Sequence, residues 1–143
     1  MLKFNYKGDY WYEYITLSNG QTAAIIFDRY DTAKVVYYYV MFAIGSKRKH
    51  VDAWLFSQAA NDLDCNTTGK CGIEGLIWAY TKLQEFENVS RIDNNSKEVR
   101  IIIQGSDSRR FRIYEHFLKR LGYIKRLEQK YGWCLVKILN KQK

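Results

Sequence analysis

The sequence predicts an α/β (α+β) fold, a mixed central sheet of about seven strands built around a βαβα core. Three observations carry that expectation. The run Lys34–Ile44 is almost continuously apolar and reads as a central strand covered on both faces. Two segments with apolar residues at helical spacing, at 72–87 and 108–121, enclose a short apolar strand, Val99–Ile103. Aromatic and β-branched stretches separated by turn residues fill most of the chain before residue 45.

Taken in order, Leu2–Tyr6, Tyr10–Leu17 and Thr22–Tyr30 read as strands of a meander, broken at Lys7-Gly8-Asp9 and Ser18-Asn19-Gly20-Gln21. Asn-Gly between two such runs predicts a type I′ hairpin turn, whose two central residues need positive φ. Tyr30-Asp31-Thr32-Ala33 is the next turn. Gly45-Ser46 closes the apolar strand. Lys47–Ala60 suits a helix, with Val51, Trp54, Leu55 and Gln58 on one stripe, and Asn61–Thr68 is loop-like. Ile73, Leu76, Ile77, Tyr80 and Leu83 then mark a helix over Gly72–Glu87, and Asn88–Lys97 reads as a charged, polar loop. Ser106, Asp107 and Ser108 suit a helix start. Phe111, Tyr114, Phe117, Leu118 and Leu121 give its stripe, and Gly122 its end. Ile124–Leu127 and Trp133–Leu139 form a last hairpin.

At 143 residues and 17.0 kDa the chain fits one domain, and 47% apolar content is enough for a core. The longest apolar run, Val35–Ile44, is about half of a bilayer span, so no membrane partner is expected. The N-terminal residues carry no apolar signal-peptide stretch. Three cysteines cannot all pair, and Cys65, Cys71 and Cys134 lack metal-ligand spacing. A reduced, cytoplasmic protein without a structural metal is expected. The excess of 23 Lys and Arg over 15 Asp and Glu gives +8 and a pI near 9.4, which draws anions. Proline is absent.

The richest stretch chemically is Thr67-Thr68-Gly69-Lys70-Cys71-Gly72, at the N-terminus of a predicted helix. Exposed N–H groups and the positive end of the helix dipole make such a terminus an anion cradle. Gly69 and Gly72 let the backbone approach a phosphate closely. Lys70 adds a formal charge. The stretch is neither a Walker A sequence nor a dinucleotide-binding fingerprint. Cys71 at this position suits helix-start packing. Glu74 in the first turn complements the dipole. Basic clusters stand at Lys47-Arg48-Lys49, at Arg109-Arg110 with Arg112, and at Lys119-Arg120 with Lys125-Arg126.

Two segments, TTGKCGIEGLIWAYTKLQEFE at 67–87 and VRIIIQGSDSRRFRIYEHFLKRLGY at 99–123, resemble the GNAT superfamily of acyl-CoA-dependent N-acyltransferases. In that family a central strand leads into a loop of pattern Gln/Arg-x-x-Gly-x-Gly/Ala that opens a helix, and the loop amides hold the coenzyme A pyrophosphate. The pantetheine arm lies between two splayed parallel strands. Here Thr67, Lys70 and Gly72 fall at the three marker places, of which Gly72 matches. Gly122-Tyr123 matches the pair that ends the next helix.

The resemblance implies acetyl-CoA as cosubstrate, held by Thr68, Gly69, Lys70, Cys71 and Gly72, with Arg109 and Arg110 near its adenine and phosphates. It implies Tyr114, two turns before Gly122, as the group that protonates the departing thiolate. Glu74, Asp52 and His50 are candidates by position for the base that takes the amine proton, Glu74 foremost. The family's two acceptor-site helices have no counterpart before the first strands, which leaves room for a homodimer. Residues 46–66 form an insertion between central strand and anion loop. The short, basic, proline-free chain is similar to chains encoded by bacteriophages, which implies the host cytoplasm. The expected activity is acetyl transfer to an amine on a protein, nucleobase or small molecule. The alternative is a non-catalytic protein of the same shape that grips nucleic acid or an acidic host protein through its basic surface.

Overall fold

In the computed structural model the residues described are 5–7, 10–49, 72–94, 97–104, 108–128 and 132–140. The elements are β1 (Asn5–Lys7), β2 (Tyr10–Thr16), β3 (Thr22–Asp31), β4 (Val35–Gly45), α1 (Gly72–Asp93), β5 (Glu98–Ile103), α2 (Ser108–Leu118), β6 (Ile124–Glu128) and β7 (Gly132–Leu139). This is an α+β fold with a mixed sheet, in the strand order β1-β2-β3-β4-β5-β7-β6. Among the described residues no helix is long and apolar enough to cross a membrane. The expected helix Lys47–Ala60 lies outside the described residues beyond Lys49.

The described residues fall into two compact units, whose boundaries cut β3 after Ile26, β4 after Val40 and α1 after Glu85. In the first unit, β1 and β2 run antiparallel, with Tyr6 opposite Trp11. Tyr10, Tyr12, Tyr14 and Met41 pack over buried Ala24, Ile26 and Ala43. Two alanines in the middle of a sheet face leave space that the tyrosine rings fill, so the tyrosine alternation on β2 is mainly packing. Ile15, Phe42 and Trp78 cover Leu17, Ala23 and Ile44 in a second cluster.

The β2–β3 turn differs from the expected type I′. The Gly20 N–H donates to Leu17 O at 2.9 Å and the Leu17 N–H to Gln21 O at 2.7 Å. Only Gly20 takes positive φ, +87°. That is a three-residue loop, a type I turn followed by a glycine bulge. Asn19 instead uses its side chain, accepting the Gln21 N–H at 3.0 Å and donating to Gln21 Oε1 at 2.8 Å. An asparagine that bonds the backbone two residues on has no need of the left-handed region.

The second unit holds the parallel pair. β4 and β5 run side by side from Val35↔Glu98 to Val40↔Ile103. β7 lies antiparallel on the other side of β5, Ile101 opposite Lys137, and β6 follows antiparallel to β7. On one face, Tyr37, Tyr39 and Ile138 pack over buried Ile102, Cys134 and Val136. On the other, Tyr38 and Phe27 meet α1 through Phe86. The Phe27 and Phe86 rings stack at 3.8 Å, and Tyr38 stands edge-on to Phe86 at 4.8 Å.

Helix α1 corrects two expectations. It continues to Asp93, through most of the stretch that reads as a loop. The reason is a buried polar face: Glu87, Ser90 and Asn94 are buried one turn apart below Leu83 and Phe86. Asn94 Nδ2 donates to Tyr38 Oη at 3.0 Å and to Ser90 O at 2.9 Å, so the helix end is satisfied internally. Asn140 Nδ2 reaches back from the end of β7 to Arg91 O and Asn94 O, at 2.9 and 3.0 Å. The apolar stripe is also rotated. Ile77, expected inside, is 58% exposed, whereas Gly75 and Ala79 face inward. Similarly, Phe117 of α2 is exposed while Leu118 is buried.

Candidate functional site

The first turn of α1 stands against the C-terminal end of β4. A Cβ on Gly75 would lie 2.5 Å from Ile44 Cδ1 and 3.5 Å from Phe42 Cζ, so a larger residue there would require the Ile44 side chain to shift. The carboxyl end of a strand next to a helix N-terminus is where α/β proteins place anionic ligands. Gly72 is the first residue of α1. Thr68, Gly69, Lys70 and Cys71 lie outside the described residues, as do His50 and Asp52.

Glu74 is exposed in the first turn, and its carboxylate is engaged. Ser18 donates to Oε1 through its N–H at 3.1 Å and its Oγ–H at 3.0 Å. The same carboxylate complements the helix dipole. Glu74 therefore ties the β2–β3 turn to the start of α1, a structural duty that its sequence position did not announce.

Arg109 and Arg110 lie in the first turn of α2, and their side chains are outside the described set. Tyr114 is half-buried in the middle of that helix. The helix runs out through a 3-10 turn, Lys119–Leu121, into a Schellman close. The Tyr123 N–H donates to Leu118 O at 3.3 Å and the Gly122 N–H to Lys119 O at 3.1 Å, with Gly122 at φ +93°. Leu118 and Tyr123 are both buried, the apolar contact that accompanies this motif. The glycine–tyrosine pair expected to end the helix does so.

Comparison with protein-family models, curated proteins and solved structures finds no match.

The sequence reading missed a buried polar group in the second unit. Lys137 Nζ meets Glu87 Oε1 at 2.5 Å, with the Glu87 side chain only 6% exposed. The same ammonium lies 5.7 Å from the centroid of the Tyr123 ring. Tyr123 is 2% exposed, and its hydroxyl has no hydrogen-bond partner among the described residues. Burial pushes this phenol well above the ordinary tyrosine range, and the Glu87 charge pushes it further. Tyr38 is also raised by burial, an effect opposed by the Asn94 hydrogen bond. A signal was available for Lys137. It alternates with Leu135 and Leu139 on a strand whose other residues on that face are apolar. Glu87 sits one turn beyond Leu83, in line with the stripe.

The raised phenol makes a pH prediction. Below the ordinary tyrosine pKa of about 10 both folded and unfolded chains hold the proton, so that range is neutral. Above it the unfolded chain releases the proton first, and stability falls as pH rises toward the folded value. Tyr123→Phe is expected to be neutral or slightly stabilising at pH 7, because it removes an unpaired hydroxyl. It is also expected to reduce the alkaline loss. Urea titrations of both proteins at pH 7 and above pH 10 check this; equal alkaline losses would contradict it.

Proposed function

We propose that the chain is an acyl-CoA-dependent N-acyltransferase that moves an acetyl group from acetyl-CoA to an amine. The observation that carries this reading is the end of β4. The parallel ladder with β5 stops at Val40↔Ile103, while β4 continues through Met41–Gly45, and the first turn of α1 packs on Ile44. A strand that outruns its parallel neighbour and is met by a helix N-terminus suits a long ligand with a phosphate group. The pantetheine arm would then follow the free stretch of strand, and the pyrophosphate the amides at Gly69–Gly72. The glycine–tyrosine close of α2 supports the same reading, as the GNAT resemblance implies.

The chemistry needs few groups. The amine nitrogen attacks the thioester carbonyl carbon, a base takes one proton from the nitrogen, the C–S bond breaks, and the thiolate receives a proton. Tyr114 is proposed as that last proton donor, and Arg109 and Arg110 as charges for the nucleotide phosphates, both roles taken from the resemblance alone. Glu74 is the proposed base; to serve, its carboxylate would have to exchange its Ser18 hydrogen bonds for the incoming amine or a water.

Calorimetric titration with acetyl-CoA, and with coenzyme A beside it, tests the proposal. Saturable binding to the native protein is expected. Gly72→Glu, which sets a carboxylate against the pyrophosphate, is expected to weaken it at least about tenfold, the scale of one misplaced charge at an anion site. Absence of binding by either coenzyme would sink the enzyme reading. The second reading, a binding protein, draws on the exposed cations Lys47, Lys49, Arg112, Lys119 and Arg120.

A further inference from the structure

The C-terminal hairpin presents a surface that acyl transfer does not use. β6 ends the sheet order, and among the described residues β7 is its one strand neighbour. Its outer edge therefore carries a row of backbone donors and acceptors placed to take another strand. The hairpin also holds three of the seven exposed large apolar side chains in the described structure: Ile124 at 56%, Leu127 at 66% and Trp133 at 55%. Leu127 and Trp133 are directly opposite in register and share a face with Lys125, whose Nζ lies 5.1 Å from the Trp133 ring centroid. Leu127 and Trp133 side by side on one face mark a contact surface, whereas apolar residues scattered singly do not; Ile124, of opposite parity, lies on the other face.

The charge of the segment that leads into β6 and forms it is one-sided. Between Ser108 and Glu128 stand seven Lys and Arg against two Glu. Lys119, Arg120 and Lys125 are exposed, and Arg126 lies on β6 itself. These cations decide among occupants. A second copy pairing edge to edge would set Lys125 and Arg126 against their own like, which is how natural edge strands resist self-association. A nucleic acid would satisfy the cations, but it has no strand to match the edge and no use for Leu127 or Ile124. An extended chain with alternating acidic and apolar residues matches the backbone row, the apolar side chains and the charge together.

We infer that the outer edge of β6, with Leu127, Trp133 and the flanking cations, docks an extended acidic segment of another protein by strand addition. The docking stands apart from acetyl transfer and holds whether or not the chain is an enzyme.

A fluorescein-labelled octapeptide of alternating glutamate and valine is the probe, read by anisotropy against the full chain. Saturable binding with Kd of about 10–100 μM is expected, the weak end suited to a small interface. It should weaken as salt rises. Hydrogen exchange at the β6 amides should slow when the peptide is bound, because an added strand takes the edge N–H groups. The same peptide with alternate residues N-methylated should lose binding on the native protein, a comparison that needs no variant to fold. The double variant K125E/R126E should bind at least about tenfold more weakly, whereas the charge-matched K47E/K49E should not.

Several results would overturn the inference. One is no saturable binding; another is equal binding of the N-methylated peptide. Unchanged β6 exchange, or an equal loss in K47E/K49E, would point to charge without an edge. Oligothymidylate binding stronger than the peptide and lost in K125E/R126E would assign the surface to nucleic acid. Self-association of the native chain, abolished by the same variant, would assign it to a second copy. Acetyl-CoA titration is read separately, so neither result stands in for the other.

Discussion

Lys137→Ala is expected to destabilise the protein by about 3 kcal/mol, the low end of the cost of leaving a buried charge unpaired, because the Lys137 side chain keeps 22% of its exposure. The effect has little to do with the attraction between Lys137 and Glu87 as such. Withdrawing two charges from water costs nearly as much as their pairing returns, so the intact pair contributes little net stability. Removing the lysine alone leaves the Glu87 carboxylate, 6% exposed, beside Tyr123 with no other cation paired to it among the described residues. Lys137→Met combined with Glu87→Leu should therefore cost clearly less than Lys137→Ala alone, since no charge is then stranded. Urea denaturation of the native chain, Lys137→Ala, Lys137→Met, Glu87→Leu and the double variant gives the five free energies. Equal losses for Lys137→Ala and the double variant would mean that the packing of the lysine stem, and not the charge, is what the site uses.

Phe86→Ala should be more damaging still, at about 3–5 kcal/mol, the usual cost of deleting a buried aromatic ring. Phe86 is 1% exposed and touches two other rings, stacked on Phe27 and nearly perpendicular to Tyr38. Its removal leaves a cavity under the sheet and also strips Tyr38, whose hydroxyl accepts from Asn94, of its packing partner. A domain of ordinary stability holds about 5–15 kcal/mol, so the midpoint of thermal unfolding should fall by more than about 10 °C. Phe86→Leu keeps most of the volume and should cost less than half as much. On the opposite side of the same helix, Ile77→Ala should stay within about 0.5 kcal/mol, because Ile77 is 58% exposed. A loss at Ile77 as large as that at Phe86 would show that the helix buries the other face.

What the sequence made legible follows from how locally each feature is encoded. The strands at 22–30, 99–103 and 133–139 lie within a residue or two of their observed bounds, because β-branched and aromatic runs between turn residues are a short-range signal. Gly122 was readable as a helix end because only its backbone state is at stake, and Gly20 was readable as a turn for the same reason. The type of that turn was not readable, since Asn19 chose a side-chain bond over a left-handed backbone. The last turns of α1 were hidden because Glu87, Ser90 and Asn94 carry the polarity of a loop. The partners of Glu87 and Asn94, which are Lys137, Tyr38 and Asn140, lie dozens of residues away in the chain. Pattern reading assigns polar residues to solvent and has no means of pairing them at a distance. Of the candidate site, Gly72 and Glu74 fall at a helix start as their neighbours suggest, and the duty of Glu74 toward Ser18 is a tertiary fact.

The position of β7 bears on how the second unit comes into being on the ribosome. Chain order is β5, β6, β7, but hydrogen-bond order is β5, β7, β6. While residues up to Glu128 have emerged, β5 has β4 on one side and an open flank on the other, and β6 has no strand to join. Glu87 still awaits its lysine, and the C-terminal carbonyls of α1 await Asn140. A single segment, Gly132–Asn140, supplies all of these partners in one step. Closure of this unit therefore waits on that segment. It follows the emergence of its last strand, and until then the nascent chain carries an apolar flank of the kind that chaperones shield.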